Sequence, residues 1–99
     1  MTWEQKFKAM RSLNPFGTVI RMRDGGNWYV SQSGVERKEG ACLSGGCNSG
    51  QTIEQAVNEH WEWLTDAGFY IVIDAYSDNR RAVRWNGFMW EPVVEEKAA

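Results

Sequence analysis

Apolar side chains recur at helical spacing at the start of the chain, which predicts a first helix over residues 3–13. The segment opens on Thr2-Trp3-Glu4-Gln5, in which the Thr2 hydroxyl and the Gln5 side chain can each accept the other residue's backbone amide. It closes at Asn14-Pro15, because the residue before a proline is disfavoured in the helical region. The predicted apolar face consists of Trp3, Phe7 and Met10.

A second helix is predicted after residue 52 on the same grounds. Thr52-Ile53-Glu54-Gln55 repeats the capping box, and Gly68 is placed to cap the end of the helix. The apolar positions that share one helical face are Ile53, Ala56, Val57, His60, Trp61 and Leu64.

Alternation of apolar and polar residues predicts strands in the remaining segments. A three-residue loop at 24–26 places Met22 opposite Trp28 and Ile20 opposite Val30, whereas a two-residue loop would reverse the faces. Gly34-Val35 is interpreted as a turn into a third, edge strand over 36–43, and the glycine-rich residues 44–51 as a flexible loop. A further strand is predicted over 69–76, with Phe69, Ile71, Ile73 and Ala75 on one face.

The last strand pair is predicted to be a hairpin with Asn86-Gly87 as a two-residue type I′ turn. This places Trp85 opposite Phe88 and Val83 opposite Trp90, with all four on one side. Pro92 ends the hairpin.

These elements predict a single α+β domain over residues 1–92 and a flexible tail over 93–99. The predicted order is α-β-β-β-α-β-β-β, with two helices packed on a mostly antiparallel sheet. The 99 residues allow one domain and one modest core. The predicted core residues are Phe7, Ile20, Met22, Trp28, Val30, Val57, Trp61, Leu64, Ile71 and Ile73.

Composition and charge narrow the function classes. The net charge of −2 argues against a protein that coats nucleic acid by bulk electrostatics. The longest apolar run, Phe69 to Ile73, is far shorter than the roughly 20 residues of a membrane span. No apolar stretch follows the N-terminus, so we expect no signal peptide and a cytoplasmic location.

The chain offers few groups for catalysis, and we expect no enzymatic activity, metal or cofactor. His60 could act as a base for Cys47 or serve as a core-edge histidine with one hydrogen-bonded nitrogen, and its position two turns along the apolar face favours the second. Cys42, Cys47 and His60 match none of the usual zinc spacings. Free thiols are expected in a reducing compartment, and a disulfide formed during purification is the alternative. Gln51-Thr52 stands where a phosphate loop has Lys-Ser/Thr.

Six tryptophans, three tyrosines and four phenylalanines exceed what so small a core can bury, so some must contribute to a surface. Trp63, Tyr70 and Tyr76 point away from the predicted core face, which favours a protein-binding function through these aromatics. The alternative is nucleic-acid binding by Arg80, Arg81 and Arg84, which lie near stacking aromatics.

Within residues 18–74, a predicted β-β-β-α-β order contains the pair Gly46-Cys47 and then the helix start Thr52-Ile53-Glu54-Gln55-Ala56. This segment resembles the HicB antitoxin family, whose β-β-β-α-β domain has a Gly-Cys pair followed by a Thr-(Leu/Ile)-Glu-Glu-Ala helix start. The resemblance implies an antitoxin-like or nucleic-acid-binding module. HicB proteins carry a DNA-binding tail, whereas this chain has only the aromatic hairpin after Tyr76.

A second resemblance is carried by four segments spread over nearly the whole chain, namely Met1–Phe7, Asn27–Ser31, Glu59-His60-Trp61 and Arg80–Glu91. They look like the corresponding parts of small proteins of tailed phages and prophages. This resemblance implies a viral accessory protein that acts in the bacterial cytoplasm by binding a host protein.

Overall fold

The computed structural model describes residues 1–23, 25–39, 42–50, 52–66, 68–75 and 77–94, with the backbone alone at 38–39 and 42–50. The order and the α+β class predicted from the sequence are confirmed. The elements are α1 (Trp3–Arg11), β1 (Thr18–Met22), β2 (Trp28–Glu39), β3 (Cys42–Gly50), α2 (Ile53–Thr65), β4 (Tyr70–Ile73), β5 (Arg81–Trp85) and β6 (Trp90–Pro92).

Both predicted capping boxes are present at the helix starts. The Thr2 hydroxyl accepts the Gln5 amide at 3.2 Å, and the Thr52 hydroxyl accepts the Gln55 amide at 3.1 Å. In each box the glutamine side chain accepts the threonine amide in return. These bonds satisfy backbone donors that the first turn of a helix leaves without a partner.

The helix ends differ from the prediction. Helix α1 stops at Arg11 with Ser12 as its C-cap, two residues before the predicted end. The predicted glycine cap of α2 is wrong, because Gly68 has no left-handed backbone angle. Instead, Asp66 leaves the helical conformation with ψ 126°, and its side chain accepts the Gly68 amide at 3.0 Å.

The predicted turn at Gly34-Val35 is wrong, since β2 continues through it as one strand of 12 residues. The pairing of β2 with β3 skips from Gln32↔Gly46 to Glu36↔Gly45, so residues 33–35 form a bulge. Gly34 adopts φ +71°, a left-handed angle that glycine accepts without steric penalty. The bulge shifts the alternation by one residue, so that both Val30 and Val35 reach the same core.

Because β2 extends to Glu39, the predicted third strand at 36–43 is mostly the second half of β2. The predicted flexible loop at 44–51 is also wrong, since β3 occupies Cys42–Gly50 and pairs with β2 on both sides of the bulge. Gln51 lies outside the described residues. The interstrand pairing of β3 with a long partner overrides the low strand propensity of its glycines and serines.

The described strands form one antiparallel sheet in the order β1-β2-β4-β5-β6, with β3 also on β2. Strand β3 pairs along both halves of β2, so β1 and β4 share the opposite edge, β1 on the first half and β4 on the second. The predicted register of the first hairpin is confirmed, with Met22 opposite Trp28 and Ile20 opposite Val30. Gly25 and Gly26 supply the positive φ angles of its loop.

The main core lies between the helices and one face of the sheet. Six of the ten predicted core residues are buried there, namely Val30, Val57, Trp61, Leu64, Ile71 and Ile73. Phe7, Ile20 and Trp28 are partly buried against it. The prediction that Met22 belongs to the core is wrong, since Met22 is 57% exposed at the end of β1 beside the turn.

A smaller apolar cluster lies on the other face of the sheet and contains Val72, Ala75 and Ala82. The prediction that Ala75 shares a face with Ile71 and Ile73 is therefore wrong. Strand β4 ends at Ile73, three residues before the predicted end at residue 76. Asp74 has φ +51°, so the strand alternation does not continue to Ala75.

The C-terminal segment is held to the sheet as far as Val93. Its amide donates to the Ala82 carbonyl at 2.8 Å, and its side chain packs on the smaller cluster. The predicted tail over 93–99 otherwise falls mostly on residues 95–99, outside the described residues. Within the described part of the chain, neither helix is long and apolar enough to span a membrane.

Candidate functional site

The final hairpin has a different loop from the predicted type I′ turn. Trp85 pairs with Trp90 and Val83 with Pro92, which leaves four loop residues, 86–89. The Asn86 side-chain oxygen accepts the amides of Phe88 at 2.9 Å and Met89 at 3.0 Å. The Asn86 amide donates to the Met89 carbonyl at 3.1 Å. One asparagine therefore organises the whole loop, and a two-residue turn could not form these bonds.

This loop moves Phe88 from its predicted position opposite Trp85 to the tip of the hairpin. Phe88 is 92% exposed and Met89 is 58% exposed. The Asn86 side-chain nitrogen also donates to the Glu91 carboxylate at 3.1 Å, which ties the loop to β6. Two apolar side chains are thus held in solvent by a hydrogen-bonded backbone.

Behind the loop, three tryptophans form an edge-to-face cluster. The ring centroids of Trp61 lie 5.0 Å from those of Trp85 and 5.8 Å from those of Trp90. Trp85 and Trp90 are 5.2 Å apart. The Trp90 indole N–H donates to the Ala9 carbonyl at 2.9 Å and thereby joins β6 to α1. The cluster packs the base of the hairpin against α2.

An open cavity of about 540 Å³ lies between α1 and the β5–β6 hairpin. Its α1 side is the helix face opposite Trp3, Phe7 and Met10. Its lining is mostly apolar, and its large exposed apolar side chains are Phe88, Met89 and Met1. We call it the α1–hairpin groove; its lining includes Gln5, Lys8, Ala9, Ile73, Arg81, Val83 and Trp85.

The structure places Trp63, a predicted binding residue, in a packed environment. Trp63 is half-buried and stacks on His60 with ring centroids 5.4 Å apart. The Arg37 guanidinium lies 5.3 Å from the centre of its ring. Tyr70 is half-buried and packs on the smaller cluster, and Tyr76 lies outside the described residues. Trp63 and Tyr70 are on different faces of the sheet and do not form one surface.

The three predicted arginines are all exposed; Arg80 and Arg81 line one small cavity together, whereas Arg84 does not line it. Arg81 lines the α1–hairpin groove with Val83 and Trp85. Arg84 is three residues along β5 and therefore lies on the opposite face, where its Nε donates to the Phe69 carbonyl at 3.2 Å. The alternation of the strand separates the two side chains.

His60 is fully buried and takes part in a polar network inside the core. Its Nε2 lies 2.8 Å from the Gln32 side-chain oxygen. The Gln32 nitrogen donates to the Met10 carbonyl at 2.7 Å and to the Thr18 hydroxyl at 2.9 Å. Since the Gln32 oxygen can only accept, His60 Nε2 must carry a proton and donate.

Burial lowers the pKa of His60 from 6.5 to about 4, because the charged imidazolium loses its hydration. At neutral pH the ring is therefore an uncharged Nε2–H tautomer that links α2 to β2. This agrees with the interpretation of His60 as a hydrogen-bonded core histidine. The side chain of Cys47, its suggested partner in catalysis, lies outside the described part.

The described residues contain no group of three His, Cys, Asp or Glu side chains that could hold a metal ion. Cys42 and Cys47 are both in β3, five residues apart. Their side chains lie outside the described residues, so the expectation of free thiols stays a prediction.

Sequence reasoning missed Phe88, Met89 and Lys8 as candidate binding residues. The available signal was Asn86, whose side chain can accept amides two and three residues ahead and so favours a longer loop. The groove itself has no sequence signature, because it forms where α1 and the hairpin meet. Comparisons with protein families, curated proteins and solved structures found no match to this chain.

Proposed function

We propose that this chain is a non-catalytic protein-binding domain, and that the partner sits on the α1–hairpin groove and the Phe88 loop. The observation that carries the proposal is Phe88 itself, which is 92% exposed on a loop that Asn86 holds in place. A large apolar side chain fixed in water is unfavourable for the isolated protein and favourable for association.

The surface around Phe88 has the composition of an interaction site. Trp85, Trp90, Met89 and Arg81 surround or line the groove. Aromatic residues, methionine and arginine are the types enriched at protein interfaces. Burying a phenylalanine side chain contributes about 1.5–3 kcal/mol, so Phe88 is the expected centre of the binding energy.

This proposal keeps the binding function expected from the sequence and moves its centre. Trp63 stacks on His60 and Arg37, which leaves it less available as an anchor than Phe88. The placement of Arg81 and Arg84 on opposite faces favours protein over nucleic-acid binding. The same proposal includes a bacterial host protein as the partner and a phage accessory role for this chain. Both rest only on the resemblance to small phage and prophage proteins.

The test is an affinity capture from bacterial lysate after nuclease treatment, with wild-type, Phe88→Ser and Phe16→Ser proteins. Phe16 is also fully exposed and does not line the groove, so Phe16→Ser is a matched control. We expect a partner that binds wild type and Phe16→Ser, with Phe88→Ser weakened by about 2 kcal/mol, roughly thirtyfold in Kd. Equal binding by all three proteins, or capture of nuclease-sensitive material alone, would refute the proposal.

A further inference from the structure

The charges that line the α1–hairpin groove are of one sign. The charged side chains in its lining are Lys8, on the α1 wall, and Arg81, on β5. Lys8 and Arg81 are both exposed, and within the described residues neither has a carboxylate partner. No aspartate or glutamate side chain lines the groove in the described part of the chain.

The rest of the lining is apolar or uncharged, so the groove pairs a mostly apolar lining with two cations. The half-buried Trp85 and Trp90 and the exposed Phe88 and Met89 offer contacts to apolar side chains, while Ile73 and Val83 in the lining are buried in the core. A ligand that fits must bury apolar groups and bring negative charge towards Lys8 and Arg81. A ligand with positive charge at these positions would instead be repelled by Lys8 and Arg81.

We propose that the groove binds a short segment of a partner protein in which apolar side chains are flanked by aspartate or glutamate. This rests on the proposed function and specifies the chemistry of its ligand. The cavity is open to solvent, and Phe88 and Met89 in its lining are exposed, which suits a segment of a protein chain more than an enclosed small molecule.

The experiment selects binders from a displayed library of random 12-residue peptides on immobilised wild-type protein. The Kd of enriched peptides is then measured by fluorescence anisotropy against four proteins. They are wild type, Phe88→Ser, the double variant Lys8→Glu/Arg81→Glu, and the control Arg11→Glu/Arg21→Glu. Arg11 shares the last turn of α1 with Lys8, and Arg21 is an exposed strand residue like Arg81, but neither lines the groove. Both double variants change the net charge equally.

We expect enriched peptides that combine apolar residues with Asp or Glu. Their Kd should rise about tenfold in Lys8→Glu/Arg81→Glu and stay within about twofold in the control. Selection on the groove double variant should enrich Lys or Arg instead. Phe88→Ser should weaken the same peptides.

Several outcomes would overturn the inference, and they separate it from the proposed function. Peptides that depend on Phe88 but lack acidic residues would remove the acidic preference and leave the binding function intact. Failure to enrich any peptide, while the captured partner still depends on Phe88, would show that the ligand is not a linear segment. Binding that is insensitive to Phe88→Ser would remove both. Two further measurements test other occupants of the groove. If laurate binds more tightly than any enriched peptide, the groove is a site for a fatty acid. If the chain dimerises in a way that buries Phe88, the groove is an interface between two copies of this chain.

Discussion

The buried histidine makes stability depend on pH in a direction that can be worked out from the structure. The pKa of His60 is about 4 in the folded protein and 6.5 when exposed, so the unfolded chain binds the proton more tightly. The contribution of neutral His60 is therefore complete above pH 6.5 and is lost as the pH falls from 6.5 towards 4. Between pH 7 and pH 4 the folded state should lose about 3 kcal/mol through this residue.

The variant His60→Gln isolates this effect. A glutamine amide can place an N–H donor near the position of the imidazole Nε2, so it can still donate to the Gln32 oxygen, but it does not titrate. Carboxylates that titrate in the same range are identical in both proteins, and their contributions cancel in the difference. We expect His60→Gln to be less stable than wild type at pH 7, because a well-packed ring is lost, and to lose less stability on acidification.

The measurement is urea unfolding followed by tryptophan fluorescence at pH 7, 6, 5 and 4. The difference in unfolding free energy between wild type and His60→Gln should shrink by about 3 kcal/mol across this range. Most of the change should lie between pH 6.5 and 4. Parallel pH profiles for the two proteins would show that His60 is not held neutral by burial, and the inferred network would then be wrong.

Three further changes test other parts of the structure. Gly34→Ala should lower stability by about 1–2 kcal/mol, because φ +71° is unfavourable for alanine although the added Cβ has space; Gly68→Ala, at an ordinary φ, should be nearly neutral in the same urea titration. Trp90→Phe should lower the unfolding free energy by about 1 kcal/mol, since the hydrogen bond to the Ala9 carbonyl is lost, and an unchanged urea midpoint would contradict this link between β6 and α1. Asn86→Ala should leave the fold intact but remove the side-chain acceptor of the Phe88 and Met89 amides, and it should weaken partner capture as Phe88→Ser does. Heteronuclear NMR should show faster motion at 87–89, and unchanged motion there would show that Asn86 does not organise the loop.

The elements predicted correctly from the sequence are those whose determinants lie close together in the chain. The capping boxes at Thr2 and Thr52 satisfy amides three residues away, and the buried face of α2 follows from the 3.6-residue period. The register of the first hairpin follows from parity across a short loop. The separation of Arg81 from Arg84 also follows from strand alternation, so this part of the candidate site could have been found without a structure.

Other features depended on partners that are distant in sequence. Residues 44–50 read as a loop because their glycines and serines have low strand propensity, and only the length of β2 made them a strand. Gly34 could begin a turn or form a bulge, and the pairing of β2 with β3 and β4 decided for the bulge.

The binding groove was also decided by tertiary structure. Asn86-Gly87 is compatible with a two-residue or a four-residue loop, and the packing of Trp85 and Trp90 on Trp61 selects the register that leaves Phe88 outside. Local sequence determines which conformations a segment can adopt at low energy. Where two of them are close in energy, burial and pairing with distant residues determine which one forms, because those contacts contribute more than the local difference.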